Sequence, residues 1–252
     1  MMRLVDLNCD MGESFGAYSI GNDNGIMQYI SSANIACGFH AGDALVMRET
    51  VLLAIKNKVS IGAHPSFPDL QGFGRREINM SQQEVYDITM YQVGSLYGFV
   101  KAANGKLIHV KPHGALYNMA ARNKKMAEAI VKAVSDFDNN LILFGLAGSE
   151  LINVAKSYGL KCCNEVFGDR TYQPDGSLTP RSQANALIND WNQSVQQVIG
   201  MVEEKSVRAV DGTIIPIEAE TICIHGDGPN ALNLAKAIHT ALKERDILIK
   251  SP

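Results

Sequence analysis

A seven-stranded (β/α) barrel of TIM-like form is the fold class this chain predicts, and three observations carry it. Seven short, apolar, β-rich runs recur along its 252 residues. Segments with helical periodicity fill the gaps, and strands that alternate with helices require parallel pairing through right-handed crossovers. Histidines gather where apolar runs give way to Gly- or Pro-marked loops, as in NIACGFHAG, SIGAHP, LIHVKPHG and TICIHG, which is how a barrel collects functional groups at its C-terminal mouth. An open doubly wound sheet is the second arrangement that the same alternation allows.

The strand runs fall at about 3–9, 33–38, 59–64, 106–111, 140–146, 160–167 and 221–225. A helix over 42–58 opens with Asp43 as its cap. Ser81 and Glu84 form a capping box for a long helix to about 103, and further helices are predicted over 123–137, 183–205 and 229–244. Residues 207–217 (VRAVDGTIIPI) read as a hairpin turning at Asp211 and Gly212, inserted before the last strand. No linker, repeat or low-complexity tract divides the chain, so 1–252 is expected to be one domain of barrel size.

Side chains alternate between the two faces of a strand. In LVDLNCD, Val5, Leu7 and Cys9 share one face, while Asp6, Asn8 and Asp10 share the other with Leu4. In LIHVKPHG, Ile108, Val110 and Pro112 oppose His109, Lys111 and His113. The same phase groups Asn34, Ala36, Gly38 and His40, then Ser60, Gly62 and His64, then Thr221, Cys223, His225 and Asp227. A TIM-type barrel normally fills its centre with branched apolar residues, so polar inward faces predict a site that reaches down from the rim. The plainer alternative is a satisfied buried polar network.

A hydrophobic fraction of 46% supports one large core, and a net charge of -3 gives no reason to expect nucleic acid or an anionic membrane as partner. A small neutral or acidic ligand suits the chain better. The opening MMRLVDLNCD reaches an acidic residue by position 6, so it lacks the apolar h-region of a secretory signal, and no stretch approaches ~20 uninterrupted apolar residues. The expected location is cytoplasmic. Five cysteines, Cys9, Cys37, Cys162, Cys163 and Cys223, are odd in number and form no C-x-x-C pair, so they are expected to be reduced core thiols.

Three kinds of group are predicted around the mouth. The carboxylates are Asp10, Glu13, Glu165 and Asp227; the imidazoles are His40, His64, His113 and His225; the cations are Lys111, Arg75, Arg76 and Arg170. Asp10 with His40, His64 and His113 could bind a divalent metal and lower the pKa of its water to about 7. A metal-free version uses Asp10 or a histidine as general base, with Lys111 or a protonated histidine facing the oxyanion. Residue types leave both open. Asn8, Glu13, Arg75, Arg76 and Arg170 are the candidate substrate contacts, the arginines as clamps for a carboxylate or phosphate. Phosphate-loop, dinucleotide and nucleophile-elbow motifs are absent, so any ATP chemistry would come from another polypeptide.

Six ordered strings resemble the LamB/YcsF family: DLNCDMGESFG (6–16), NIACGFHAGD (34–43), GAHPSFPDLQGFGRR (62–76), VKPHGALYN (110–118), NEVFGDRTY (164–172) and CIHGDGP (223–229). The family forms the A subunit of the bacterial ATP-dependent 5-oxoprolinase. The resemblance implies a seven-stranded barrel of the glycoside hydrolase/deacetylase type. It also implies opening of the 5-oxo-L-proline (pyroglutamate) lactam to L-glutamate, with ATP hydrolysis and partner subunits B and C. Asp10, His113, Lys111, Glu165, His225 and Asp227 are the candidate catalytic groups. The chain departs from the family at Gly168, where relatives have alanine, and at Ala184, Asn185 and Ala186, where relatives carry a Pro-Gly-Ala turn. Two other functions are weighed against this one: a metal-dependent deacetylase acting on carbohydrate, and a non-catalytic small-molecule-binding regulatory subunit. The oligomeric state is left open, a homo-oligomer included.

Overall fold

In the computed structural model, which describes residues 3–228 and 230–252, seven parallel strands close into a barrel. In chain order the elements are β1 (Leu4–Met11), α1 (Asp23–Ile26) with a 3₁₀ turn over Met27–Tyr29, β2 (Ser32–Ala36), α2 (Ala44–Asn57), β3 (Ser60–His64), α3 (Gln82–Ala102), β4 (Leu107–Val110), α4 (Gly114–Ala120), α5 (Lys124–Phe137), β5 (Ile142–Leu146), α6 (Glu150–Ser157), β6 (Cys162–Phe167), α7 (Trp191–Ile199), β7 (Ser206–Arg208), β8 (Ile214–Pro216), β9 (Thr221–Ile224), α8 (Ala231–Lys243) and β10 (Leu248–Ile249). Strands β1 to β6 pair in sequence, β9 follows β6, and β9 pairs back onto β1. The short β10 extends the lower end of β1.

Local chemistry accounts for the borders. Asp43 accepts from the Leu45 and Val46 amides at the head of α2, and Ser81 with Glu84 closes the capping box of α3. Val5, Leu7, Cys9 and Met11 are fully buried between the barrel and its helices, while Asp6, Asn8 and Asp10 are buried inside the barrel. Both faces of β1 are therefore covered, as a parallel sheet requires. Residues 206–216 form the hairpin, where the Thr213 amide donates to Asp211 and the Gly212 amide to the Ala209 carbonyl.

The predicted helix 183–205 is corrected at its start: α7 begins only at Trp191, with Asp190 as its cap. Residues 183–189 instead belong to an irregular cover over the mouth. The Ile188 amide donates to the Asp169 carbonyl and the Thr171 amide to Ala186, which holds this segment against the end of β6. Downstream, α7 continues as a π-helical turn over Gly200–Glu204. The predicted last helix is α8; its first predicted residue, Pro229, lies outside the described residues. The sequence reading also lacked α1, α4, α6 and β10. All five cysteines are free thiols, and no described helix is long and apolar enough to cross a membrane.

Candidate active site

The barrel interior is polar from floor to mouth. At the floor, the Asp6 carboxylate accepts from Ser31, Ser32 and Thr221 hydroxyls; burial outweighs these bonds and pushes its pKa up to about 6. One layer higher, Asn8 donates to Glu165 at 2.9 Å and to Thr221 at 2.7 Å, and Asn34 donates to Asn8 and Asp10. His109 crosses from β4 and approaches the Asn34 carbonyl oxygen through Nε2 at 2.8 Å. That oxygen can only accept, so Nε2 carries the hydrogen. The ring reaches Asn34 because Gly62 faces it from β3: a Cβ there would lie 2.0 Å from His109 Nε2.

Lys111 stands above this layer as a buried ammonium. Its Nζ is 2.8 Å from Asp10 Oδ1, 3.0 Å from Glu165 Oε1 and 2.9 Å from Cys223 Sγ. Burial alone would favour the neutral amine, but the Asp10 and Glu165 carboxylates outweigh it and hold Lys111 well above the ordinary lysine value. Burial likewise opposes ionisation of Asp10, yet His64 and Lys111 hold its carboxyl well below the carboxylate range. Asp10 is therefore a fixed anion.

At the mouth three imidazoles meet. His64 Nδ1 lies 2.7 Å from the Lys111 carbonyl and His113 Nε2 lies 2.9 Å from the Phe73 carbonyl. Both of these nitrogens must donate, which leaves His64 Nε2 and His113 Nδ1 facing each other at 3.0 Å. Two lone pairs at that distance repel, so a proton or a cation has to lie between them. Asp10 Oδ2 stands 3.4 Å from the same His64 nitrogen. The His40 ring stacks on His113 at 3.8 Å, with its Nε2 3.1 Å from Glu13. Burial and His64 depress the His40 pKa; burial, His40 and His64 depress that of His113. Burial and Asp10 push Glu13 well above the ordinary value.

Glu13, His40, His64 and His113 bring one donor atom each within 4.8 Å of one another, and His40 Nδ1 is buried without a partner. Three imidazoles and a carboxylate, two of the rings oriented by backbone carbonyls, fit a divalent cation. The set differs from the predicted one, in which Asp10 was the carboxylate. The chain turns at Gly12 (φ +66°) just after β1, which carries Glu13 over to His40, while Asp10 stays with Lys111.

The other predicted residues separate clearly. Asp10, His64, Arg75, Lys111, His113, Arg170 and His225 line a cavity of about 30 Å³ at the mouth. His225 is held by Asp169 at 2.8 Å. Asp227 lies on the rim and pairs with Arg75 at 2.5 Å. Asn8 and Glu165 are fully enclosed beneath Lys111 and do not reach the cavity, so the predicted substrate contact at Asn8 and direct catalytic contact at Glu165 give way to support of Lys111 and Asp10. Arg76 is turned away: its guanidinium pairs with Asp69 within its own loop. Arg170 is buried and donates to the Ala186 and Thr179 carbonyls, bracing the cover. Sequence reasoning passed over Asp169, Tyr117 and Arg181. The last two line the cavity, and no spacing or periodicity marks them.

An α/β barrel carries here, at its mouth, a fixed acid, a buried ammonium and a histidine cluster, groups that can polarise a carbonyl or activate water. The chain belongs to the LamB/YcsF family, whose pattern it matches over residues 5–252. Among its relatives, a Tolumonas auensis protein named as the A subunit of 5-oxoprolinase is 58% identical over 250 residues, covering 99% of this chain and 100% of the relative. One of the same name from Geobacillus thermodenitrificans is 57% identical, covering 99% and 97%. The crystal structure of a lactam utilization protein from Thermus thermophilus superposes with a TM-score of 0.93 at 44% identity, covering 99% of this chain and all of the other. An Enterococcus faecalis structure at 14% identity shares the fold alone, with a TM-score of 0.58.

Proposed function

We propose that this chain is the A subunit of an ATP-dependent 5-oxoprolinase and opens the 5-oxo-L-proline lactam to L-glutamate together with subunits B and C. The observation that carries the reading is the His64–His113 pair beside Asp10 and Lys111, joined to close relatives of that name. Opening the ring adds water to the lactam carbonyl carbon and breaks the C–N bond. One proton must leave the water and one must reach the ring nitrogen. Asp10, held ionised, is a weak base, so with no cation at the site the proton carrier is the His64–His113 pair: the facing Nε2 and Nδ1, 3.0 Å apart, hold between them the one proton taken from the water and passed to the ring nitrogen. The Lys111 ammonium and its two carboxylates fix the electrostatic frame in which an oxyanion forms.

A divalent cation at Glu13, His40, His64 and His113 would polarise the carbonyl or acidify water when bound. Arg75, now paired with Asp227 on the rim, would take the substrate carboxylate in exchange for that partner. The chain has no phosphate loop, which agrees with activation by ATP on a partner. A five-membered lactam is a stable amide that recloses readily, and this gives ATP its purpose.

The test is glutamate release from 5-oxoproline and ATP with this protein alone, with B and C alone, and with all three. Release only in the full mixture, lost in Asp10→Ala, supports the reading. Release unchanged when this protein is omitted overturns it.

A further inference from the structure

In the closed ring of seven strands, β9 stands three strands away from β3 in one direction and from β4 in the other. His225, just beyond the end of β9, therefore faces the His64–His113 pair across the mouth, and all three line the inner cavity. Its ring is held from two sides. Phe167 stacks on it at 5.5 Å, and Nδ1 lies 3.0 and 2.8 Å from the two Asp169 oxygens. Burial opposes ionisation of Asp169, but His225 and then Arg181 and Arg170 hold its carboxyl below the ordinary value. An ionised carboxylate only accepts, so Nδ1 carries a hydrogen.

In the neutral ring this leaves the lone pair on Nε2. That atom has no hydrogen bond among the described residues and is not sealed inside the protein, so it opens on the cavity. The other acceptors beside Lys111 are engaged: Asp10 takes hydrogens from Asn34 and Lys111 and stands 3.4 Å from His64, while the inward nitrogens of His64 and His113 face each other. An uncommitted imidazole lone pair in a cavity wall is a place for a ligand's N–H.

We propose that His225 Nε2 accepts the ring N–H of the ligand, with Asp169 as the positioning residue that fixes the tautomer, and that the mouth thereby selects secondary lactams. The inference rests on the mouth being the site of lactam opening. It adds how that site tells a cyclic amide from a lactone or an N-substituted ring, neither of which presents a hydrogen there. The two sides of the mouth then divide the nitrogen between them. Its existing N–H lies in the amide plane and points to His225. When the carbonyl carbon becomes tetrahedral and the C–N bond breaks, the electron pair left on nitrogen stands out of that plane and takes the proton from the His64–His113 pair. A wall without this acceptor would hold lactam and lactone alike, since the two rings match in size and share their carbonyl and carboxylate.

Calorimetric titration of the purified full chain with 5-oxoproline, N-methyl-5-oxoproline and the lactone 5-oxotetrahydrofuran-2-carboxylate tests the preference. The expected result is 5-oxoproline bound about tenfold or more tighter than the other two. His225→Phe should abolish the gap by weakening 5-oxoproline alone, and His225→Gln, whose amide oxygen accepts, should restore part of it. Nitrogen-15 spectra of the histidine rings read the tautomer directly: Nδ1 protonated and Nε2 bare in the free protein, with Nε2 shifted by 5-oxoproline and unmoved by its N-methyl form. Asp169→Asn should replace the single tautomer by a mixture and narrow the preference, which a packing defect does not do. Failure of the wild type to bind 5-oxoproline, equal affinities for the three ligands, a preference that survives His225→Phe, or an Nε2 already protonated in the free protein overturns the proposal. A preference lost in His225→Phe, in a chain that releases no glutamate with B and C, would leave the contact standing and remove the ring-opening reading. Glutamate release with a preference indifferent to His225 does the reverse.

Discussion

Lys111 Nζ and Asp10 Oδ1 are 2.8 Å apart in the middle of the barrel, both side chains almost wholly enclosed. Each is kept charged by the other, and Glu165 adds a second carboxylate to the same ammonium. Two acids and one base in a closed space would be unstable without the surrounding amides. Asn8 and Asn34 supply donors to the carboxylate oxygens, which is the condition under which buried charge is tolerated.

Removing the cation should therefore hurt more than removing one anion. Lys111→Met leaves Asp10 and Glu165 facing each other without a counter-charge, and an unfolding free energy lower by about 3–5 kcal/mol is expected. Adding Glu165→Gln to that variant should recover part of the loss, since one buried anion is then gone. Urea denaturation of wild type, single and double variants measures it; a double variant no more stable than the single would show that the pair is not coupled.

The pH dependence of stability follows from His109 and Asp6. Burial lowers His109 from the ordinary 6.5 to about 3, so between these pH values the unfolded chain takes up a proton that the native ring refuses. Stability falls as the pH drops through that window. Burial raises Asp6 from 3.8 to about 6, so there the native state holds a proton that the unfolded chain has lost, and its contribution falls as the pH rises. The two slopes oppose each other between about pH 4 and 6. His109→Gln, which keeps a donor for Asn34, removes one of them: its stability should be lower than wild type at pH 7 but should decline less on acidification. Denaturant midpoints from about pH 7 to about pH 4 give the comparison.

Gly62 is required by the ring opposite. With a Cβ placed 2.0 Å from His109 Nε2, Gly62→Ala must push the imidazole away from Asn34 or spread β3 from β4. A cost of about 3 kcal/mol or more is expected, at the upper end of overpacking in a core. His109→Ala vacates the space, so the double variant should be more stable than Gly62→Ala alone. If it is less stable, the glycine serves some other need of the strand.

Much of this arrangement is legible in single strands. The alternation of LVDLNCD is enough to place Asp6, Asn8 and Asp10 on one face, and the period-two pattern of LIHVKPHG puts His109, Lys111 and His113 together. What alternation cannot say is how far inside each residue lies. Asn8 and Glu165 share the polar face with Asp10 but sit a layer deeper, where the closed barrel seals them off. Beyond a strand end the pattern stops: Gly12 reverses the chain and exchanges Glu13 for Asp10 in the histidine cluster. The cover over 168–190 was illegible for the same reason, because backbone bonds to Arg170 and Asp169 fix it rather than any periodic burial. Arg181 lies on that cover, so nothing local distinguished it from a solvated arginine.

The histidine cluster makes a separate prediction about cations. In His64 and His113 the outward nitrogens donate to carbonyls and the inward ones meet at 3.0 Å, while Glu13 and His40 complete a group within 4.8 Å. A divalent ion there would relieve the repulsion between the inward nitrogens and bind only the folded chain. At a hundredfold excess over its dissociation constant it should therefore add about 2.7 kcal/mol of stability. Thermal unfolding of the chelator-treated protein with and without zinc or manganese reads this as an upward shift of the midpoint. The shift should vanish in His113→Ala and shrink in Glu13→Gln, but survive in Asp227→Asn, which lies on the rim. Because protons compete for the same nitrogens, the shift should also diminish as the pH falls. An unshifted midpoint in wild type would leave a proton, shared between His64 and His113, as the charge that holds the two rings together.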